Sequence, residues 1–598
     1  MTRSFYPCPK LTSWPKSLLL LHNTPHPPSI APMPSVDPDD MHSDHTIMQN
    51  VSVVTDHMEF LRVATNDPHR QFLRICDIVD SFEFPVLYRR LPFTLLRRLI
   101  MQRLVSKIRP RLAFQPLLQA DAQAIDKCIA HKVHSYLHFP FPFNSSLLTM
   151  PFSLHGFDFP SIARLNDSAA VLGLLRDLNH HLPLFRNLAS ITLADWTCSF
   201  AHCLSPLHAN SPSFHHNYNR LSHKLPSSWV TAHNVMRDLS ISIHDTDLSY
   251  LLSGQVSLQH LTHTSSSPSK PSPYLIRSLT LAGLTLLSDV GSWDTSHDPA
   301  YITFKPWTDL SQILRFTSAS PDVPSLSSWL SSLTLSSLTY GFPSLALPPS
   351  IRKQQAEQDL ISLSSLFPLS SPSHSTSLVA SDASMLPSPV SPLAFRSVTF
   401  AATSPSSSFC GSFANFGRSA TILHGELYGI LVAALLSLSS SPTSPPPIFT
   451  DHLNAVTILN DALLKPPLSH SWSYLPGRSL YRWIYSVLTS SPHRPSLSHV
   501  HAHTAASDPA SCANDFVDHL ASTAHSLHIA PPPVPLPTFC MDKFTPYLPS
   551  FSYIDSNFPL LLHSLLAQHS FFHPSFAPLH TLSPLLYDSH SPPLHPYT

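Results

Sequence analysis

The sequence is poor in charged side chains and in glycine. Charged residues make up 12% of its 598 residues, about half of the roughly 25% usual in a soluble domain, and glycine occurs only 11 times. The 35 Lys and Arg residues balance 36 Asp and Glu residues, which leaves a formal net charge of −1. Net charge therefore does not indicate a polyanionic partner, and any surface that binds nucleic acid must be local.

Dense cysteine spacing and long apolar runs are also missing. The eight cysteines are spread singly, unlike the disulfide framework of a small secreted protein. The apolar run Ile430–Leu436 falls well short of the ~20 residues that a membrane span needs, and Leu18–Leu21 is too short for a signal-peptide core. We expect an intracellular protein, cytoplasmic or nuclear, that is neither secreted nor inserted in a membrane.

The sequence is rich in proline, with 62 residues, and in serine, and clusters of these residues divide the chain. A single core rarely organises more than roughly 250–300 residues, so we expect at least two folded parts. Composition and periodicity predict five regions: a disordered N-terminal lead-in (1–57), a mostly helical region (58–205), a partly ordered Ser/Pro-rich connection and linker (206–375), an α/β domain (376–527) and a Pro/His-rich tail (528–598).

The helical region carries a basic stripe. Within 23 positions it gathers eight basic residues and no acidic one: Arg89, Arg90, Arg97, Arg98, Arg103, Lys107, Arg109 and Arg111. Such a stripe suits contact with a phosphate backbone, for which we single out the six residues from Arg97 to Arg111. It equally suits the solvated face of an amphipathic helix, and the sequence leaves both interpretations open.

A predicted meander of three strands opens the α/β domain. The strands are Thr376–Ser384, Ala394–Ala402 and Ser408–Phe416, with turn-forming Ser, Pro, Asn and Gly residues between and after them. Asp382 falls near the end of the first strand. Because the connections are short, we expect the strands to pair in antiparallel fashion.

Three further acidic residues fall on separate predicted elements. Glu426 lies in the first turn of an apolar helix, Asp451 ends the strand-like stretch Pro447–Asp451, and Asp518 lies in the helix Cys512–Ser526. A side chain at the carboxyl end of a strand is placed where open α/β sheets bind ligands. Taken singly, each residue can be explained as a helix cap, a partner of the helix dipole or a solvated side chain. Their joint order favours one shared site.

Such a cluster suits phosphodiester hydrolysis. In-line displacement uses one divalent cation to activate water and a second, ~3.5–4 Å away, to stabilise the leaving oxygen. Mg²⁺ prefers oxygen ligands, and carboxylates also balance its charge. The predicted cofactor is therefore two Mg²⁺ ions, for which Mn²⁺ can substitute.

The acidic segments resemble the type 1 ribonuclease H family, as found in reverse transcriptases of non-LTR retrotransposons. The matching pieces are ASDAS with Asp382, HGELYGI with Glu426, FTDHLNAV with Asp451, and VHAHTAASDPASCANDFVDHLAS with His503 and Asp518. This resemblance implies a mixed five-stranded sheet flanked by helices and an endonuclease that cuts the RNA strand of RNA–DNA hybrids.

The resemblance also implies a role for each residue. Asp382 would bridge both metal ions, Glu426 and Asp451 would complete the ligand set, and Asp518 would hold the second ion. His503 would assist proton transfer or product departure from a loop. Two departures from the family pattern are Ala502, where a glycine usually precedes the histidine, and the short acid Asp515 after Asn514.

The helical region resembles, more weakly, the thumb and connection of the same reverse transcriptases, over Arg109–Pro140 and Leu148–Leu178. An unrelated helical domain is the alternative. The adjacent Asp39 and Asp40 lie in a Pro-rich stretch that does not suit a polymerase palm, so polymerase activity is not predicted. The expected partners are an RNA–DNA hybrid and a separate polymerase portion, and the oligomeric state stays open. The alternative function is a nucleic-acid-binding remnant with weak or no catalysis.

Overall fold

Secondary structure is defined over most of the chain between residues 18 and 571. The computed structural model describes residues 18–20, 30–36, 46–54 and 58–571, apart from 61–62, 66, 86–90, 139–144, 153–155, 200–204, 212–224, 265–270, 297–299, 306–322, 367–377, 387–396, 406, 414–419, 468–471, 473–474, 503–507 and 527–533. By its internal contacts the chain divides into two units. One comprises Met1–Leu174, Ser213–Val235 and Leu566–His573, and the other comprises Leu175–Pro212, Met236–Leu565 and Pro574–Thr598.

The first unit begins with short strands and continues with helices. Its elements are β1 (Leu18–Leu20), β2 (Ile30–Val36), β3 (Thr46–Val54), β4 (Met58–Phe60), β5 (Val63–Thr65), α1 (Pro68–Asp80), α2 (Phe93–Leu99), a π-helical segment (Ile100–Val105), α3 (Ser106–Phe114), α4 (Gln119–Leu137), α5 (Ser145–Thr149) and most of α6 (Ile162–Leu178). Strands β1 to β3 form a sheet of order β1-β3-β2 inside the stretch predicted as a disordered lead-in.

Asp126 joins two helices of this unit. It lies buried on α4 and accepts hydrogen bonds from Ser161 Oγ and from the Ile162 backbone N–H, both at 2.6 Å, where α6 begins. The unpaired N–H groups at a helix start favour an acceptor of negative charge. Burial nevertheless raises the pKa of Asp126, because desolvation outweighs these hydrogen bonds.

The second unit contains a helical part and a sheet-based part. The helical part consists of α7 (Pro183–Ser199), the end of α8 (Ser227–Asp238), β6 (Ser242–Asp245), α9 (Ser249–Leu252), α10 (Leu258–Thr264), α11 (Pro273–Leu281), α12 (Leu287–Val290), β7 (Gly291–Asp294), β8 (Tyr301–Phe304), α13 (Val323–Ser332), α14 (Leu335–Leu338), a 3-10 turn (Pro343–Ala346) and α15 (Pro349–Leu366). Its core is mostly leucine, packed around the fully buried Trp329.

A mixed five-stranded sheet flanked by helices forms the sheet-based part, and the fold class is α/β, as predicted. The elements are β9 (Val379–Leu386), β10 (Ser397–Thr403), β11 (Ser408–Ser412), α16 (Ile422–Ser440), β12 (Ile448–Thr450), α17 (Leu453–Leu464), α18 (Arg478–Ser490), β13 (Leu497–His499), α19 (Pro509–Thr523) and a 3-10 turn (Ala524–Ser526). The sheet order is β11-β10-β9-β12-β13. Strands β9 to β11 pair in antiparallel fashion, while β12 runs parallel to both β9 and β13.

Helices cover both faces of this sheet. On one face, α16 and α18 pack on Val379, Phe400 and Phe409 in a large apolar core. On the other, α19 packs through Val517 and Ala521 on a small patch of Ala380, Ala401 and Cys410. Small side chains on both surfaces allow α19 to lie close to the sheet.

Helix α16 is apolar on all sides because it is buried on all sides. Fourteen consecutive residues, from His424 to Ser437, are buried. Its length and composition would also suit a membrane span, but 78% of the apolar window lies inside the protein. The helix is the central core element of this unit.

Gly425 lets α16 approach β9 closely. A Cβ atom added there would lie 2.6 Å from the Cβ of Ala383, a distance that real Cβ atoms do not tolerate. At Gly429 the equivalent distance to the Cβ of Ser381 is 3.2 Å, which is tight but tolerable after a small shift. The two glycines therefore set the separation between the helix and the central strand.

We expect Gly425→Ala to destabilise the protein, although alanine is the better helix former by about 1 kcal/mol. Overpacking against a fixed strand costs about 1–3 kcal/mol, so the free energy of unfolding should fall. Urea unfolding of the full chain measures it. Gly429→Ala is the matched control and should cost less; a Gly425→Ala protein more stable than the parent would contradict the close packing.

The first part of the predicted tail is folded. After residue 533 come β14 (Phe544–Leu548), β15 (Ser552–Tyr553) and α20 (Phe558–Phe571), and β14 pairs with β15 and with β6. Asp542 accepts from Arg478 Nε at 2.7 Å and from Arg482 Nη1 at 2.9 Å. Proline content predicts a tail here, but Pro546 lies in β14 opposite Ile243, and Pro549 lies in the turn between β14 and β15.

The same segment contacts the core around the five-stranded sheet. The buried Val534 donates its backbone N–H to the Ser412 carbonyl at 3.1 Å, and the Tyr428 hydroxyl donates to the Pro535 carbonyl. Ser479 donates from its backbone N–H to Asp555 at 3.1 Å. Residues 534–556 thus complete the packing of the α/β part, and tests of its function call for the full chain.

Candidate metal centre

Three carboxylates from three elements meet at one end of the sheet. Asp382 lies in the central strand β9, Glu426 in the first turns of α16, and Asp451 directly after β12. One ligand oxygen from each lies within 4.8 Å of the others. Asp382 and Glu426 are buried, with exposed fractions of 5% and 6%, while Asp451 is half-buried.

Strand register explains why Asp382 and Asp451 are neighbours. β12 pairs with β9 in parallel, with Ile448 opposite Val379 and Phe449 opposite Ala380. Continued by two residues, this register places Asp451 beside Asp382. Side chains alternate along a strand, so Asp382 lies on the face of Ala380, which α19 covers.

Glu426 reaches the same point from helix α16. Thr421 and His424 cap the start of the helix, where the Thr421 backbone N–H donates to His424 Nδ1 at 3.1 Å. Two residues later, Glu426 forms a hydrogen bond with Asp382. Its Oε2 atom is buried and has no hydrogen-bond partner in the described part of the chain.

Burial and mutual repulsion raise the pKa values of all three carboxylates. Burial first, and then the negative charges of Asp451 and Asp518, raise the pKa of Asp382 to about 7. Burial and the neighbouring Asp382 raise the pKa of Glu426 well above its usual value. Burial likewise raises the pKa of Asp451, with His452 opposing this shift. Like charges at this distance cannot all ionise without a compensating cation.

These residues can hold a metal ion. A buried oxygen without a partner is costly, and a coordinated cation would satisfy Glu426 Oε2. The donor set consists of carboxylate oxygens, which hard divalent cations such as Mg²⁺, Mn²⁺ and Ca²⁺ prefer. The chemistry of the site therefore fits an oxygen-ligated divalent ion.

The other predicted site residues are placed differently. Asp518 lies half-buried on α19 and its charge acts on Asp382, Glu426 and Asp451, but its oxygens lie outside the group of three. Asp515, one turn earlier, is exposed. His503 lies outside the described residues.

Sequence reasoning missed the groups that hold α19 in place. Thr399 Oγ1 donates to the Ala521 carbonyl at 2.7 Å and lies 3.1 Å from His525 Nε2. Ser397 Oγ lies 3.1 Å from the other ring nitrogen of His525. These contacts connect β10 to the end of the helix that carries Asp518. No local pattern signals them, because the partners are more than 120 residues apart.

Two histidines flank Asp451 and were also missed. His452 caps α17 by accepting from the Ala455 backbone N–H at 3.0 Å. His499, on the neighbouring strand β13, lies with Nε2 3.1 Å from the Asp451 carbonyl. They fix the turn in which Asp451 sits. Histidine is not one of the usual N-cap residues, so no sequence signal indicated the cap formed by His452.

The basic stripe is structurally heterogeneous. Arg97 pairs with Asp158 at 2.7 Å and covers the Phe152 ring at 4.4 Å, so it serves packing in its own unit. Arg111 is half-buried and has an interaction of its own. The remaining predicted nucleic-acid contacts are exposed: Arg98, Arg103, Lys107 and Arg109.

Comparison with protein-family models, with curated proteins and with solved structures finds no significant match for this chain.

Proposed function

We propose that the protein is a metal-dependent endonuclease that hydrolyses the RNA strand of RNA–DNA hybrids, in the manner of a type 1 ribonuclease H. The observation that carries the proposal is the convergence of Asp382, Glu426 and Asp451, from three separate elements, to within 4.8 Å. Rigid elements that aim carboxylates at one point preorganise a cation site.

The sheet supports the same proposal. An antiparallel meander of three strands followed by two parallel strands, in the order β11-β10-β9-β12-β13, agrees with the mixed five-stranded sheet that the sequence resemblance implies. The carboxylates lie on the central strand, on the first helix after the meander and at the end of the fourth strand, which are the positions of the matching motifs.

Each residue has a proposed role. Asp382, Glu426 and Asp451 would hold Mg²⁺, or Mn²⁺ in its place, and Asp518 would extend the ligand set to a second ion. When bound, two such ions supply an activated water and stabilise the leaving oxygen. Half-buried Asp451 and Asp518 keep the site open to a phosphodiester, whereas buried Asp382 and Glu426 form its floor. Hybrid duplexes are recognised by shape, backbone and 2′-hydroxyl groups, so we expect no base specificity.

The test uses the purified full chain with a hybrid labelled on either strand. With Mg²⁺ or Mn²⁺ we expect cleavage of the RNA strand alone, none in EDTA, and much slower cleavage of single-stranded RNA. The alternative, an inactive remnant, predicts binding of the hybrid without cleavage in either metal. Cleavage of both strands, or cleavage that persists in EDTA, would rule out the proposed activity.

A further inference from the structure

A cleft in the first unit lies between α1 and the helical stretch from α2 to α3. It has a volume of about 390 Å³ and is open at one side. Such a volume is at the lower end of the range for small-molecule sites, ~300–1,000 Å³. Its walls come from two places: the end of α1 with the loop that follows, and the helix around Arg103.

The wall chemistry is amphipathic. Ile78, Phe82, Leu99 and Leu104 supply apolar surface, and Arg103 and Lys107 supply positive charge. Arg103 belongs to the π-helical segment, and Lys107 follows one turn later in α3. π-Helical turns are uncommon and often occur at functional sites.

The two cations are available to a ligand. Among the described residues, neither Arg103 nor Lys107 makes an ion pair or a side-chain hydrogen bond, and both are exposed. Glu83 lines the same cleft and yet lies too far from either cation to form an ion pair. By contrast, Arg97 in the same stripe is already paired with Asp158.

The opposite wall is fixed by the protein itself. Lys132 Nζ donates to the Asp80 carbonyl at 3.0 Å and to the Phe82 carbonyl at 2.9 Å, which caps the end of α1. Phe84 packs on Tyr136 with ring centroids 4.7 Å apart. A preformed wall of this kind lowers the entropic cost of binding.

We infer that this cleft binds one nucleotide unit, with Arg103 and Lys107 on its phosphate and the apolar wall against its base and sugar. Guanidinium and ammonium groups are the usual protein partners of phosphate, and a base has apolar faces that such a wall covers. The choice of a nucleotide over another amphipathic anion rests on the proposed function. The unit can belong to a free mononucleotide or to a nucleic-acid strand.

The test measures binding in EDTA, so that it does not depend on cleavage. A fluorescent 12-nucleotide single strand is titrated with the full chain, and adenosine monophosphate, inorganic phosphate and dodecanoate serve as competitors. We expect the double variant Arg103→Ala/Lys107→Ala to weaken binding roughly tenfold or more. Its salt dependence should fall by about 0.7 in logarithmic slope, the value for one phosphate of a single strand that loses its cationic partners.

Two single variants test whether the loss of any exposed cation weakens binding of the strand. Arg277→Ala removes an exposed cation of α11, and Lys127→Ala removes an exposed cation of α4; neither residue lines the cleft. Each should change affinity by less than about twofold, and circular dichroism verifies that every variant is folded.

The competitors identify the source of the nucleotide. If adenosine monophosphate displaces the strand more strongly than phosphate does, the cleft binds a free nucleotide. If it displaces the strand weakly and the double variant still loses affinity, the cleft binds a nucleotide unit within a strand. Equal losses in all variants, or displacement by dodecanoate but not by the nucleotide, would overturn the inference. Failure to cleave a hybrid in Mg²⁺ would instead count against the nuclease alone.

Discussion

Asp451→Asn in the full chain should lower the rate of RNA-strand cleavage by at least about a thousandfold. The substitution preserves the size of the side chain but removes a charged oxygen from the group of three carboxylates. Metal-ion catalysis supplies several kcal/mol of transition-state stabilisation, and each 1.36 kcal/mol corresponds to a factor of ten. Initial rates on an end-labelled hybrid at saturating Mg²⁺ measure the loss.

A matched control is Asp515→Asn on α19. Asp515 is exposed, carries the same charge and lies one turn from Asp518, but it is not among the three clustered carboxylates. We expect its rate to stay within about twofold of the parent protein, as for an ordinary surface substitution. Equal cleavage rates for the Asp451→Asn and parent proteins would show that the carboxylate cluster is not required for cleavage.

Without divalent cations, the protein should lose stability as the pH rises from about 4 to about 7. The pKa of Asp382 is raised from 3.8 in an unfolded chain to about 7 in the folded protein, chiefly by burial. The folded state then binds more protons than the unfolded state over this interval, so the free energy of unfolding falls as the pH increases. The share of the free energy of unfolding that depends on protonated Asp382 is fully present below pH 4 and is lost above the folded pKa. This share is on the order of a few kcal/mol.

Thermal unfolding in EDTA at pH 5 and at pH 8 measures this effect. Asp382→Asn should reduce the difference in stability between the two pH values, because the amide does not titrate; Glu426 and Asp451, whose pKa values are also raised, keep the rest of it. Added Mg²⁺ should raise the Tm of the parent protein more at pH 8 than at pH 5, since protons compete with the cation for the same oxygens. An equal Mg²⁺ shift in the Asp382→Asn protein, at matched ionic strength, would place the cation elsewhere.

Local sequence patterns predict the sheet and its acidic end well. The first strand starts at Val379, three residues later than expected, and the second is described from Ser397 onward; strand types and order agree with the prediction. Short alternating or apolar runs between turn residues carry this information locally. Asp382 and Asp451 could be placed together because both lie near the ends of predicted strands.

Long-range contacts could not be predicted in the same way. Two examples are the contacts of His525 with Ser397 and Thr399 and the ion pair of Asp542 with Arg478. The local sequence around each of these residues does not indicate its partner. The folded part of the tail was missed for this reason. Likewise, the basic stripe gave no sign that Arg97 is paired with Asp158, 61 residues away.

The antiparallel pairing of β6 with β14 can form only late in synthesis. In this pair Asp245 lies opposite Phe544, so 299 residues must leave the ribosome before the ladder can close. At about 5–20 residues per second, the wait is roughly 15–60 s. During that time this edge of β6 lacks its partner strand, and such edges recruit other chains. Only the short length of β6, four residues, limits such pairing until β14 emerges.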